Sequence, residues 1–444
     1  MNITRQELYA RLIPLIARVA RDWEPEDLEE EVDEETRLIA DLDLTSVDFV
    51  DLFVAIEADL GRRIGFHDLL MVDGRYIDDL AIGELIDYLQ RKLGGAETGG
   101  KAPAAGPRAA PGQVSRIDAA KLARFREIVP APGARPPLAR KNRPALFVLS
   151  APRSGSTLLQ TMLAGNPALF APPELHLLWF TDLRQRRIVY SWESNRHLVN
   201  GALRAIMELD HVGPEEAAAF MHECEERGMT TTAFYALLQE RLGDRLLVDK
   251  TPSYAYSMAV LRRAEADFDR PLYLHLVRHP CAMVRSFIDA KLERTLPFMM
   301  RHTDEFSTED FAELAWLTCN HNIVDFLRSV PPGRQHRIHY EDMVTDPQSA
   351  MKGVCDFLGV EMDPDMIDPY QDKGKRMADG VGTVSQMSGD LKFHLHDRID
   401  PDAAGRWRRY MTEDAVSDLT WEFASTLGYE RESRAGSGGA AGEG

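Results

Sequence analysis

The sequence predicts two unlike domains in one chain, a small acidic four-helix bundle followed by a larger α/β domain on a largely parallel sheet. Three observations carry this expectation. Within residues 1–93, apolar positions recur at the three-to-four spacing of buried helical stripes. From residue 143 onward, short apolar runs alternate with longer helical patterns, as parallel strands joined by helices require. Between the two lies a stretch rich in Gly, Ala and Pro.

Composition sets the limits. A chain of 444 residues exceeds one ordinary core, and its 44% hydrophobic and 28% charged content is that of a water-exposed globular protein. No apolar run is long enough to span a bilayer, and the first ten residues have no leader character. The four cysteines lie far apart, without metal-ligand or framework spacing, so reduced thiols, no bound metal and a cytoplasmic location are expected. The net charge of −19 argues against nucleic-acid binding. Residues 1–95 hold 23 Asp and Glu against 10 Lys and Arg, so most of the negative charge sits on the small domain. Such a surface is either simply well solvated or steered toward basic docking faces.

In chain order, Leu8, Leu12, Leu15 and Ile16 form the first stripe, Val47, Val50, Phe53, Val54 and Leu60 the second, and Leu85, Ile86 and Leu89 the last. These define a first domain over 1–93. Residues 94–142 read as a flexible linker, to about 112, then an adaptor segment with one helical pattern at 114–128. The α/β domain occupies 143–433, and the small polar tail 434–444 is expected to be disordered.

Ser46 opens the second stripe. It follows Asp41-Leu42-Asp43-Leu44-Thr45 and precedes a helix with Asp48 and Asp51 in its first turns, where carboxylates favour the helix dipole. Read alone, Ser46 is equally an ordinary helix N-cap. The length, helix pattern, acidity and position of this serine together resemble an acyl carrier protein over about residues 4–92. That resemblance implies 4′-phosphopantetheine attached to Ser46 by a phosphopantetheinyl transferase. The family usually carries Asp just before the serine, and here the residue is Thr45.

The stretch 147–158 runs Phe147-Val148-Leu149-Ser150-Ala151-Pro152-Arg153-Ser154-Gly155-Ser156-Thr157-Leu158: a strand, a small-residue loop and a helix start. In that arrangement backbone N–H groups and a helix dipole meet an anion, Gly155 permits close approach, and Arg153 adds a fork for phosphate oxygens. The lysine of the nucleoside-triphosphate loop is missing, which favours a shorter, less charged phosphosulfate. A Gly-Ser turn that merely caps a helix is the plain alternative. A second apolar strand at 272–277 ends in Arg278-His279-Pro280, with Arg285, Ser286 and Phe287 on the next helix. The pair R-S-G-S-T-L-L and L-V-R-H-P-x(5)-S-F resembles the donor-binding motifs of sulfotransferases that use 3′-phosphoadenosine 5′-phosphosulfate (PAPS). The resemblance spans roughly residues 143–430. It implies that Arg153, Ser154, Gly155, Ser156 and Thr157 hold the 5′-phosphosulfate, and Arg278 and Ser286 the 3′-phosphate.

Two further segments, Pro172-Pro173-Glu174-Leu175-His176-Leu177-Leu178 and Val248-Asp249-Lys250-Thr251-Pro252-Ser253-Tyr254, resemble sulfotransferase domains of polyketide assembly lines, as in curacin assembly and olefin synthases. There, sulfonation of a β-hydroxyl on a carrier-bound acyl chain primes a later elimination. The expected activity is therefore a PAPS-dependent transfer of a sulfuryl group to a hydroxyl, the β-hydroxyl by this likeness, of a polyketide-type or acyl chain tethered to the carrier domain. Sulfuryl transfer needs a base for the alcohol and positive charge at the leaving oxygen. Glu174 is the expected base, Lys250 the group that steadies the leaving oxygen, and His176 one that orients the acceptor. His321, in the polar triplet Asn320-His321-Asn322 of an otherwise apolar helix, is a further candidate. No thioesterase segment follows, so expected partners include upstream and downstream synthase modules or a separate thioesterase. Two rivals stay open: a sulfotransferase acting on a free sugar, lipid or phenol with the carrier used for docking, and a non-catalytic carrier scaffold.

Overall fold

The computed structural model describes residues 4–19, 32–38, 41–42, 44, 52–53, 55–57, 59–61, 64, 66, 69, 71–72, 75–76, 79–94, 116–135, 138–190, 198–294, 296–372, 374, 376–377, 393 and 398–431. Ser46 with Asp43, Asp48 and Asp51, the segment 95–115 and the tail 434–444 lie outside them.

In the N-terminal region, helix α1 (Arg5–Val19) and helix α2 (Ile82–Gly94) bring their stripes together. Leu8, Leu12 and Ile16 are buried with Leu85, Ile86 and Leu89 in one apolar cluster that includes Leu52, Phe53 and Ile56. Phe53 stacks on Phe66 with ring centroids 4.2 Å apart. Arg5 ties α1 to Glu34 through Nε at 2.9 Å and also pairs with Asp87 of α2. Strands β1 (Met71–Val72) and β2 (Arg75–Tyr76) form a short antiparallel ladder that the all-helical expectation did not contain. A two-residue strand is too short for a period-two pattern to register.

The α/β domain is built on five parallel strands, β3 (Leu146–Ser150), β4 (Leu169–Phe170), β5 (Leu246–Lys250), β6 (Leu272–Val277) and β7 (Gln335–His339), in the order β4-β5-β3-β6-β7. Their residues split by parity. Phe147 and Leu149 face one core with Leu247, Tyr273 and Val277, while Leu146 and Val148 face the other with Val248, Leu274 and Leu276. Burial on both faces explains why β3 and most of β6 read as apolar runs, while β7 at the edge, Gln335–His339, is largely polar. The chain leaves β3 for the edge at β4, returns at β5, and crosses β3 to reach β6. The carboxyl ends of β5, β3 and β6 therefore flank a topological switch point, where α/β sheets bind ligands.

The adaptor is part of this domain's core. Helix α3 (Ala119–Ile128) is capped by Asp118, which accepts from the Lys121 amide at 2.8 Å. Its Phe125 is fully buried among Tyr256, Phe298, Phe306 and Phe311. Burying such a ring contributes about 2 to 3 kcal/mol. Lys121 also meets Asp310 at 2.9 Å, and Arg124 meets Glu305 at 2.6 Å. The helices that shape the site are α4 (Ser156–Leu163), α5 (Leu183–Val189), α6 (Asn200–Asp210), α7 (Pro280–Asp289), α8 (Thr308–Leu327) and α9 (Asp418–Ser425). No helix among the described residues is long and apolar enough to cross a membrane.

His275, in the middle of β6, gives the fold a measurable pH dependence. Asn320 Nδ2 donates to the Trp316 carbonyl at 2.8 Å, so Asn320 Oδ1 accepts from His275 Nε2 at 3.1 Å. Burial pushes the imidazole down to about 3. The unfolded chain therefore binds the proton first, and stability falls as pH drops from the ordinary histidine value toward about 3. The thermal midpoint is expected to fall with acidification across that window, with a smaller slope in His275→Gln. An identical slope in the variant would contradict this assignment.

Candidate active site

Two groups of side chains meet the carboxyl ends of the central strands. The first begins where β3 ends. Ala151 to Ser154 turn the chain back, with Arg153 at φ 61° and Gly155 at φ 89° before α4 starts at Ser156. Gly155 is required twice over: its φ lies in the left-handed region, and a Cβ there would sit 2.3 Å from Tyr340 Cδ2. The loop thus lies directly on the Tyr340 ring, with the N-terminal turn of α4 at its edge. Ser154, Ser156 and Thr157 are buried in this turn.

Arg278 follows β6 and closes the cradle. Its Nη1 donates to the Arg153 carbonyl at 2.8 Å, and its guanidinium lies 4.3 Å from the Tyr340 ring centroid. Arg153 Nε in turn donates to Ser286 Oγ on α7 at 3.2 Å. Arg278 Nε is buried with no hydrogen-bond partner among the described residues, a donor suited to an anion's oxygen. The structure thus brings together Arg153, Ser154, Gly155, Ser156, Thr157, Arg278 and Ser286, all expected from sequence. This donor set, with the buried Arg278 Nε, fits a phosphate or phosphosulfate group.

The supports of this cradle were not evident from sequence. Glu341, beside Tyr340 at the end of β7, accepts from the His279 amide at 2.9 Å and from Tyr429 Oη at 2.7 Å. His279 stacks on Trp407 with centroids 4.4 Å apart and meets Trp421 and Tyr429 edge-on. Burial and the nearby Arg408 and Arg278 push its imidazole down to about 4, so it is neutral at pH 7. The only sequence signal was an aromatic and an acid directly after a strand end, at Tyr340-Glu341.

The second group joins the ends of β4 and β5. Lys250 Nζ donates to Glu174 Oε1 at 2.9 Å, and His176 Nε2 lies 3.1 Å from Glu174 Oε2. The latter approach is off the imidazole N–H axis and falls short of a full hydrogen bond. The Lys250 side chain is 1% exposed, that of Glu174 26% exposed, so the carboxylate is the member that opens outward. Burial alone would raise the Glu174 carboxyl. Lys250 and His176 override that and hold it well below the usual carboxylate range.

The loop carrying Glu174 is fixed on several sides. His176 adopts φ 50°, its Nδ1 3.4 Å from Ser253 Oγ and its ring edge-on to Tyr190. The amides of Leu177 and Leu178 donate to Tyr254 Oη at 2.8 and 3.2 Å, and Tyr254 Oη donates to buried Asp249 at 3.1 Å. Arg186 of α5, fully buried, donates to the carbonyls of Leu175, Leu198 and Val199 at 3.0 to 3.3 Å. Gly201 lets α6 reach the loop, since a Cβ there would lie 2.0 Å from the Glu174 carbonyl oxygen.

His321 stands elsewhere. Its ring stacks on Phe423 of α9, centroids 3.7 Å apart. Asn320 bonds His275, and Asn322 donates to the carbonyls of Ala255 and Tyr256 at 2.9 Å. The polar triplet is thus spent on helix packing, and the structure does not bring His321 to Glu174. All four cysteines are buried free thiols.

The chain's similarities to known proteins follow these two regions. Residues 144–364 match the Sulfotransferase family. Two solved structures superpose on it: the sulfotransferase domain from the curacin biosynthetic pathway (36% identity, TM-score 0.61, 66% of this chain and 100% of that one) and the sulfotransferase domain from the Synechococcus PCC 7002 olefin synthase (36%, TM-score 0.59, 68% and 100%). The chain spans 66% and 65% of the first two curated relatives it matches in this region. At the N-terminus it is 28% identical over 92 residues to the acyl carrier protein of Thermotoga maritima, 20% of this chain and 98% of that one. With a carrier-like first region and an α/β domain whose strand ends carry both groups of side chains, the chain belongs to the sulfotransferase family.

Proposed function

We propose that this chain transfers a sulfuryl group from PAPS to a hydroxyl, the β-hydroxyl by the likeness to curacin-type domains, of an acyl chain tethered through phosphopantetheine to Ser46. The observation that carries this reading is the charged group Lys250–Glu174–His176 at strand ends next to an anion cradle, in a chain whose first region resembles an acyl carrier protein. Tethering makes delivery of the acyl chain effectively intramolecular, so weak docking suffices.

The chemistry is an in-line displacement at sulfur. The acceptor O–H bond breaks, an O–S bond forms, and the S–O bond to the leaving adenosine bisphosphate breaks. Glu174 takes the proton and the Lys250 ammonium stabilises the charge on the departing oxygen. Arg153, Arg278 and the N–H groups of α4 hold the donor's phosphates. His176, 3.1 Å from the second carboxylate oxygen, orients the acceptor beside it.

The low basicity of Glu174 in the free protein fits this scheme. Lys250 is the main group acidifying it. Once the ammonium turns to the donor's bridging oxygen, burial dominates and the carboxylate becomes a better base when the acceptor needs one. Removing Lys250 should mimic that change permanently. In Lys250→Met, the acid limb of the kcat/KM profile is expected at higher pH than in the parent, because burial then raises the carboxyl against His176 alone. An acid limb left in place would separate Glu174 from the rate.

Intact-protein mass tests the whole reading. Ser46 is loaded with a β-hydroxyacyl pantetheine and PAPS is added. One sulfuryl group is expected on the ejected pantetheine arm, with the single-turnover rate about 10²- to 10⁴-fold lower in Glu174→Gln and no loading in Ser46→Ala. Sulfonation of a free alcohol with none on the arm would favour the docking rival. Absence of any donor consumption would favour the scaffold.

A further inference from the structure

We propose that Arg135, contributed by the adaptor that precedes the sheet, is a positioning residue for the Glu174 loop, which makes the adaptor a working part of the site. The inference rests on the reading of Glu174 as the base. Arg135 sits in the stretch Ala131-Pro132-Gly133-Ala134-Arg135, outside the residues 144–364 that match the family. Its side chain is 11% exposed, and its Nη1 pairs with Asp267, itself buried.

The other terminal nitrogen faces the loop. Arg135 Nη2 donates toward the carbonyls of Leu178 at 3.1 Å, Leu177 at 3.3 Å and Phe180, and to Thr231 Oγ1 at 3.0 Å. Two hydrogens are thus shared among four oxygens, which fixes the guanidinium plane against the strip 177–180. Arg263 repeats the motif: its Nη1 donates to the Leu178 carbonyl at 2.6 Å and its Nη2 to the Gly133 carbonyl. Tyr254 Oη takes the Leu177 and Leu178 amides from the opposite side. Leu177 and Leu178 are therefore gripped at their N–H groups by Tyr254 and at their C=O groups by Arg135, with Arg263 sharing the Leu178 carbonyl.

That strip begins one residue after His176 and three after Glu174. His176 holds a φ of 50°, which its surroundings must enforce. A shift of the strip would move the imidazole and the carboxylate together, away from Lys250, which is anchored independently on β5. Lysine cannot replace Arg135, because a single ammonium does not pair Asp267 at one end while feeding carbonyls at the other. Misplacement of a reacting group by about 1 Å costs about 10²-fold in rate.

The test uses the full chain with Arg135→Ala and Arg135→Lys. Three readouts are needed: hydrogen exchange across 174–181, affinity for 3′-phosphoadenosine 5′-phosphate, and single-turnover rate on the β-hydroxyacyl-loaded carrier. In both variants amide exchange at 177–180 should rise about tenfold or more while the rest of the sheet keeps its protection. Nucleotide affinity should stay within about twofold and the rate should fall about 10- to 100-fold. Added methylguanidinium should restore part of the rate to the alanine variant only. Exchange and rate both equal to the parent would overturn the proposal. So would a loss of protection spread over the domain together with lost nucleotide binding, which would make Arg135 a general staple. Full activity in Glu174→Gln would sink the base reading separately, and the exchange result would still report on the clamp without any turnover.

Discussion

The site depends on one buried ion pair, Lys250 with Glu174. An ammonium that is 1% exposed is tolerated only beside a compensating charge with good geometry, and Glu174 Oε1 at 2.9 Å supplies it. Much of the neighbouring structure serves that contact. The register of β5, with Lys250 beside Val148 of β3, sets the ammonium at the switch point. Pro172 and Pro173 stiffen the approach to Glu174, Arg186 and Tyr254 fill the loop's polar groups, and Gly201 clears room for its carbonyl. A carboxylate held in this way, and still 26% exposed, fits the role of base proposed for it.

The anion cradle rests on a different constraint, the contact of Gly155 with Tyr340. It locks the loop after β3 to the end of β7 across β6, and Arg278 runs between them from the Tyr340 face to the Arg153 carbonyl. Glu341 and the rings around His279 then tie the cradle to residues 407–429. Anything that loosens this C-terminal segment is felt at the phosphate loop without touching it.

Legibility in the sequence followed the range of the interactions. Strands β3, β5 and β6 were evident because each is a continuous apolar run ended by a charged residue, and the same local pattern exposed Arg153, Lys250 and Arg278. Glu174 and His176 were readable as a motif, and the structure adds the geometry that joins them to Lys250. Tyr340, Glu341, Trp407 and Tyr429 acquire their roles only through contacts across most of the domain, which no local pattern encodes. His321 shows the converse: a polar residue on an apolar helix suggests a site, yet its ring packs face to face on Phe423 of α9. The adaptor shows the same limit of range: its helical pattern at 114–128 was readable, but the burial of Phe125 and Arg135 inside the domain depends on partners far along the chain.

Thermal unfolding of Lys250→Met, Glu174→Gln and the double variant tests the central claim most directly. If the buried pair organises the loop, Glu174→Gln strands an ammonium and loses about 3 to 5 kcal/mol, and the double variant recovers most of that loss. Losses that simply add would contradict the account, because they would mean that Lys250 and Glu174 stabilise the fold independently of each other.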